Sequence, residues 1–125
     1  FNLARVSWFK KEYNNVIKYL RDVEFNDIFY DLSSKTMLVA TYYDTDEIEA
    51  LYSLLDSFKV FLFRQKKTIT AQRRARYVQY INYVKKLLKI IPGDKKAVEK
   101  LKKEIDGSSQ TVTKQWLLEK VEELG

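Results

Sequence analysis

The densest group of carboxylates in the chain could hold a cation. It consists of Asp44, Asp46, Glu47 and Glu49. A calcium loop of the EF-hand type also needs a glycine at its sixth position and a bidentate carboxylate at its twelfth. Counted from Asp44, these positions hold Glu49 and Leu55. The pattern therefore fails as a calcium loop and favours a helix start, where the helix dipole stabilises negative charge.

The residue types needed for catalysis are largely missing. The chain has no histidine and no cysteine, so the commonest general base, the commonest metal ligand and all thiol chemistry are excluded. Its serines lack a histidine that could activate them, and three glycines are too few for a phosphate-binding glycine-rich loop. We therefore predict that the protein is not an enzyme and has no catalytic, cofactor or metal site.

A cluster of positive charge in the middle of the chain is the strongest candidate for a binding site. Segment 59–104 has 15 basic and 3 acidic residues, whereas the net charge of the whole chain is +6. Basic groups with aromatic neighbours can bind single-stranded nucleic acid, because cations contact phosphates and rings stack on bases. The candidate contact residues for a polyanion or a protein partner are Arg64, Lys66, Lys67, Arg73, Arg74 and Arg76.

The aromatic side chains that follow this cluster, Tyr77, Tyr80 and Tyr83, have a second interpretation. Tyr77 and Tyr80 also fall on an apolar helical stripe with Val84, Leu87 and Ile91. Burial in a core is the ordinary fate of such residues. Surface lysines on a short helix, such as Lys95 and Lys96, are commonly a solvated face. The cluster is thus compatible with nucleic acid, with an acidic protein partner, or with an ordinary surface.

The composition predicts few, long helices. Three glycines and one proline are too few for the many turns of a β-rich fold. Apolar residues recur at helical spacing, and no segment alternates with a period of two. We predict an all-α fold of paired antiparallel helices, with breaks near Lys10, Asn26, Asp44, Lys67, Pro92 and Gly107.

Capping residues refine these boundaries. Asn26 or Asp27 is expected to begin a helix that ends near Tyr43, and Asp44 or Thr45 to begin the next, with Asp46 and Glu47 in its first turn. Further starts are expected at Thr68 or Thr70 and at Asp94, and Gly107 suits a C′ position. The predicted core comprises Val16, Ile17, Leu20, Leu38, Tyr42, Ala50, Leu51, Leu54, Phe58, Tyr80, Val84, Leu87, Leu101, Trp116 and Leu117.

A repeat appears when the sequence is shifted on itself by 34 residues. Trp8 then aligns with Tyr42 and Ile17 with Leu51, each within a helix–turn–helix context. The segment Tyr42–Leu51 is similar to the turn of a tetratricopeptide repeat, although it lacks the turn glycine. In that family, stacked helix hairpins bury one another's apolar faces.

The resemblance implies one helical-repeat domain over residues 1–125. Residues 1–62 resemble tetratricopeptide-like repeats in a right-handed superhelix, and 63–125 resemble a diverged repeat with a C-terminal capping helix pair. The chain also resembles the C-terminal region of uncharacterised bacterial proteins of the Bacteroidetes type. These resemblances imply a protein-binding or scaffolding module of unknown partner. The alternative is non-specific nucleic-acid binding through 59–104.

Two further expectations concern the setting of the chain. No apolar run approaches the length of a membrane-spanning helix, so no membrane insertion is expected. The absence of cysteine is compatible with a reducing cytoplasm, which is the expected location. The chain begins with Phe1, which suggests a piece of a longer protein. Its first hairpin would then lack a neighbour and could pair with a second copy. The apolar residues expected at that edge are Phe1, Leu3, Val6, Trp8 and Tyr13.

Overall fold

The computed structural model describes residues 28–108 and 111–125, and all regular secondary structure in these ranges is α-helical. The all-α prediction is therefore confirmed for this part of the chain. The helices are α1 (Ile28–Asp44), α2 (Ile48–Arg64), α3 (Ala71–Lys89), α4 (Lys95–Asp106) and α5 (Lys114–Leu124). They fall into two compact units, divided within α2 between Phe58 and Lys59.

The break between α1 and α2 is a tight turn without glycine. The Glu47 N–H donates to the Tyr42 carbonyl at 2.9 Å, and the Asp46 N–H donates to the Tyr43 carbonyl at 3.3 Å. This is the hydrogen-bond pattern of a Schellman motif, whose C′ residue adopts a left-handed conformation. Asp46 takes that position with φ of 60°. Aspartate fills the place where glycine is usual, because its short polar side chain tolerates this conformation better than most.

The start of α2 differs from the prediction by two residues. Neither Asp44 nor Thr45 caps it, because the first helical bond runs from the Leu51 N–H to the Glu47 carbonyl. Asp46 and Glu47 consequently precede the helix, and Glu49 is the carboxylate in its first turn. The acidic cluster is therefore divided among the end of α1, the turn and the start of α2.

The buried stripe of α2 agrees with the predicted core at Leu51 and Phe58 but contains Leu55 where Leu54 was predicted. Leu51, Leu55, Phe58 and Leu62 are fully buried, at spacings of four, three and four. Leu54 and Ala50, both predicted as core, are only partly buried. Adjacent leucines at 54 and 55 made both registers compatible with helical periodicity. The predictions of burial for Leu51 and Phe58 are confirmed.

Helix α1 buries residues on opposite sides. Leu32 and Val39 lie on one side, while Ser34 and Thr41 lie close to the other by helical rotation. Tyr42 is buried as predicted, but Val39 is buried in place of Leu38, which is only partly covered. Threonine hydroxyl groups bond to the backbone of α1: Thr36 and Thr41 in the helix, and Thr45 just after it, each donate to the carbonyl four residues earlier at 2.8 Å.

The starts of α3 and α4 follow the predicted caps. The Thr70 side chain accepts a hydrogen bond from the Arg73 N–H at 3.2 Å, and Asp94 Oδ1 accepts one from the Ala97 N–H at 3.2 Å. Each side chain satisfies a backbone donor that has no partner within the helix. Gly107 follows α4 but keeps a right-handed conformation, with φ of −76°, so it is not the predicted left-handed C′ residue.

Helices α3, α4 and α5 share a core within residues 59–125. Helix α4 packs most closely on α5, and both contact α3. The Tyr80 ring meets the Trp116 ring edge-on, with their centroids 6.2 Å apart. Burial is confirmed for the predicted residues Tyr80, Val84, Leu87, Leu101, Trp116 and Leu117. Ile91, placed on the α3 stripe, lies beyond the end of the helix and is 73% exposed.

Several predictions fall outside the described residues. These are the breaks near Lys10 and Asn26, core residues Val16, Ile17 and Leu20, and the first member of each pair in the 34-residue repeat. The apolar edge that includes Leu3 and Val6 also lies there. These expectations stay predictions.

Candidate partner-binding surface

The six predicted contact residues surround one connection between helices. Arg64 is the last residue of α2, Lys66 and Lys67 lie in the turn that follows, and the three arginines occupy the first two turns of α3. We call the set Arg64, Lys66, Lys67, Arg73, Arg74 and Arg76 the basic surface. Arg74 is partly buried and the other five side chains are exposed.

The backbone of the connection is held by its own hydrogen bonds. The Ile69 and Thr68 N–H groups donate to the Gln65 carbonyl at 2.8 and 2.9 Å, and the Gln65 N–H donates to Phe61 at 3.0 Å. Ile69 is buried and anchors the connection, while Thr70 caps α3. These bonds hold the backbone from which the exposed basic side chains extend.

The charge of this region is unbalanced in sequence. From Ser57 to Gly93 the chain has ten basic residues and no acidic residue. Arg73 and Arg74 lie near the N-terminus of α3, where the helix dipole disfavours positive charge. In 28–108 and 111–125, Arg64, Lys66, Lys67 and Arg76 form no ion pair. The surface therefore combines a strong positive potential with little internal neutralisation.

Two apolar side chains are exposed beside these cations. Phe63 is 51% exposed and Val60 is 48% exposed, both near the C-terminal end of α2. The Arg74 guanidinium carbon lies 5.6 Å from the centroid of the Phe63 ring, within the range of a cation–π interaction. Phe63 is thus partly oriented by Arg74 while much of its ring stays accessible.

The tyrosines considered for base stacking are differently placed. Tyr80 is fully buried against Trp116 and is unable to reach a ligand. The Tyr83 hydroxyl donates to the Glu104 carbonyl at 3.3 Å, and Lys86 Nζ lies 5.8 Å from its ring centroid. The bond to Glu104 directs Tyr83 toward α4, whereas Lys86 lies on α3 itself. Core packing explains Tyr80 better than a stacking role does.

Tyr77 lies between the core and the basic surface. Burial raises the pKa of its hydroxyl above the ordinary value of about 10, and the charges of Arg73 and Arg76 oppose this rise. The burial effect is the larger of the two. Tyr77 is therefore neutral at physiological pH, and its pKa responds to the charges of Arg73 and Arg76.

Sequence reasoning did not identify Val60 and Phe63 as surface residues. Their exposure can be inferred only once the buried stripe of α2 is known. With Leu51, Leu55, Phe58 and Leu62 as that stripe, Val60 falls on the opposite face. The run Val60–Phe63 is continuously apolar and therefore did not reveal which members are exposed.

Within 28–108 and 111–125, no group of three or more acidic residues is arranged to hold a metal. No helix in the same ranges is both long and apolar enough to span a bilayer. Comparison with known proteins adds no relative, since no family model, no curated protein and no solved structure matches this chain.

Proposed function

We propose that this chain is a protein-binding or scaffolding module that recognises an acidic partner through the basic surface. The observation that carries the proposal is that Val60 and Phe63 are accessible at the end of α2 that leads to Arg64, and that Arg74 lies over the Phe63 ring. Protein interfaces are enriched in aromatic residues and arginine at their centres. An apolar anchor surrounded by cations suits a partner segment that carries leucine or phenylalanine among glutamates.

The proposed architecture is a stack of helix hairpins of the tetratricopeptide-like type. Helices of 17 residues joined by the short turn at Thr45–Glu47 support this proposal. Repeat stacks commonly hold an extended segment of another chain. The same architecture serves many partners, so the chemistry of the basic surface narrows the proposal further.

A second candidate is non-specific binding of single-stranded nucleic acid. The ten cations of segment 57–93 favour it, and Phe63 offers one ring for stacking. Burial of Tyr80 removes one of the rings that the sequence suggested. Cations alone give binding that weakens steeply with salt, because each phosphate contact releases counterions.

A binding titration separates the two candidates. The probes are a fluorescent acidic peptide with leucine and phenylalanine at helical spacing, a poly-glutamate peptide of equal charge, and single-stranded oligothymidine. We expect the amphipathic peptide to bind at least about tenfold more tightly than poly-glutamate, since an anchored aromatic contributes well over 1 kcal/mol. Tighter binding of oligothymidine at physiological salt would favour the nucleic-acid alternative.

Matched variants test which residues act. Phe63→Ala should weaken peptide binding roughly tenfold, whereas Tyr52→Ala, which removes an exposed aromatic near the start of α2, should leave it unchanged. Lys66→Glu with Lys67→Glu should abolish binding, and Lys95→Glu with Lys96→Glu, an equal charge change on α4, should reduce it far less. Equal effects from both double variants would mean that only net charge matters and would refute the proposed surface.

A further inference from the structure

A concave feature lies away from the basic surface, between the end of α3 and the start of α4. It has a volume of about 300 Å³, and we call it the α3–α4 cleft. Its walls include Lys86 and Lys89 from α3, Ile91 from the connection, and Lys100 and Leu101 from α4. Small-ligand sites begin at about this size.

The connection that forms one wall is fixed in place. The Gly93 N–H donates to the Leu124 carbonyl at 2.8 Å, and the Asp94 N–H donates to the Ile91 carbonyl at 3.0 Å. Gly93 has φ of 90°, which glycine adopts without strain. One wall of the cleft is therefore a hydrogen-bonded turn that also contacts the end of α5. This wall is preorganised, so a ligand could bind without a rearrangement of the backbone there.

The apolar lining of the cleft is partly uncovered. Ile91 is the most exposed large apolar residue in the described ranges, at 73%. Ile90, Ala97 and Leu101 line the same cleft, and Leu101 is buried beneath it. The hydrogen-bonded turn holds Ile91 outside the core. A ligand with an apolar body would remove this surface from water.

The charges in the cleft select for a single negative group. Lys86 Nζ is 2.7 Å from Glu104 Oε2, so these two charges neutralise each other. Asp94 uses its carboxylate to cap α4. Lys89 and Lys100 form no ion pair within 28–108 and 111–125. With Lys86 and Glu104 neutralised, Lys89, Lys100 and Asp94 leave one net positive charge in the cleft, which matches a monoanion better than a dianion such as phosphate.

We propose that the α3–α4 cleft binds a small organic acid with one carboxylate and a compact apolar body. Lys89 and Lys100 bind the carboxylate, and Ile91, Ala97 and Leu101 contact the apolar part. A volume of about 300 Å³ corresponds to roughly ten water molecules at about 30 Å³ each, which is the size of an aromatic ring carrying a short acid. This site is independent of the partner-binding surface.

The test is an NMR titration of the isotope-labelled chain with phenylacetate and with its neutral analogue phenylacetamide. Phenylacetate should cause saturable shifts confined to the amides of segment 86–104. Phenylacetamide should bind at least roughly tenfold more weakly, because it has the same shape but no charge for the lysines. Equal binding of the two compounds, or shifts that never saturate, would overturn the proposal.

Substitutions locate the site without disturbing the core. Lys89→Met with Lys100→Met should weaken phenylacetate binding roughly tenfold, whereas Lys95→Met with Lys96→Met, exposed lysines outside the cleft, should change it less than about twofold. Ile91→Ser should weaken binding, and Val60→Ser, at an equally exposed apolar site outside the cleft, should not. If a variant within the cleft and its control outside the cleft lose phenylacetate affinity equally, the assignment is overturned. An unchanged unfolding temperature verifies that each variant is folded.

Discussion

Helices α1 and α4 bury their side chains in two different ways. In α4 the buried residues Val98, Leu101 and Ile105 form one narrow stripe, and the opposite face is charged. In α1 burial reaches opposite sides, with Leu32 and Val39 on one side and hydroxyl residues on the other. A helix covered on one side is stabilised by its apolar stripe, whereas the second buried side of α1 holds small hydroxyl residues, of which Thr41 satisfies its hydroxyl within the helix.

The largest expected effect comes from placing a charge on the second buried side of α1. Thr41 is fully buried, so Thr41→Lys should reduce the free energy of unfolding by about 3–5 kcal/mol, because the ammonium would be buried without a counter-charge. The matched change on the charged face of α4, Lys103→Thr, should stay within about 0.5 kcal/mol of wild type. Chemical denaturation measures both. A Thr41→Lys variant as stable as wild type would show that the second side of α1 is open to water.

The register of α2 gives the next largest effect. Leu55 is fully buried and Leu54 only partly, so Leu55→Ala should cost about 2–5 kcal/mol and Leu54→Ala distinctly less. Both substitutions remove the same atoms from adjacent positions of one helix. Their difference in unfolding free energy therefore measures burial directly, and equal losses would contradict the observed stripe.

A smaller effect of opposite sign is expected at Ser34 in α1. Its hydroxyl is buried and has no hydrogen-bond partner among the described residues, unlike that of Thr36, which donates to Leu32. Ser34→Ala should raise the free energy of unfolding by about 1 kcal/mol, because an unsatisfied polar group leaves the interior. Ser33→Ala shares the gain in helix propensity and serves as the control. If Ser34→Ala destabilises the protein, the hydroxyl has a partner.

The smallest effect concerns Tyr77, which is only half covered in α3. Burial raises the pKa of its hydroxyl, so its contribution to stability is present below pH about 10 and is lost as pH rises through the raised folded pKa. Wild type should lose more stability in this alkaline range than Tyr77→Phe. Phenolate absorbance, taken as the difference between these proteins, gives the pKa. Arg73→Gln with Arg76→Gln should raise that pKa further, and a fall would contradict the proposed charge effect.

The contrast between α1 and α4 also explains which residues could be predicted. In α4, charged residues separate Val98, Leu101 and Ile105, so only one stripe fits the helical period. In α1 and α2, apolar residues stand side by side, as in Leu38–Ala40 and at Leu54 and Leu55. Periodicity then allows two registers, and the prediction took the wrong one at both places.

At the candidate surface too, some residues could be predicted from the sequence and others could not. The basic residues could be found from sequence, because a stretch without carboxylates has a positive potential in any arrangement. The exposure of Val60 and Phe63 depends on the rotation of α2 and could not be read from an apolar run. No sequence pattern predicted the α3–α4 cleft, since its residues come from the end of one helix, a turn and the face of another helix.

Local sequence patterns were enough to predict the helical class, the breaks near Asp44, Lys67 and Pro92, the cap at Asp94, and a cap at Thr68 or Thr70. These follow from local rules of periodicity and capping that act within a few residues. The packing of the helices was needed to show that Leu55 and Val39 are buried, that Tyr80 packs on Trp116, and that Phe63 lies exposed beside Arg74. Burial and close contact depend on which helix faces meet, and that is a property of packing between segments distant in sequence.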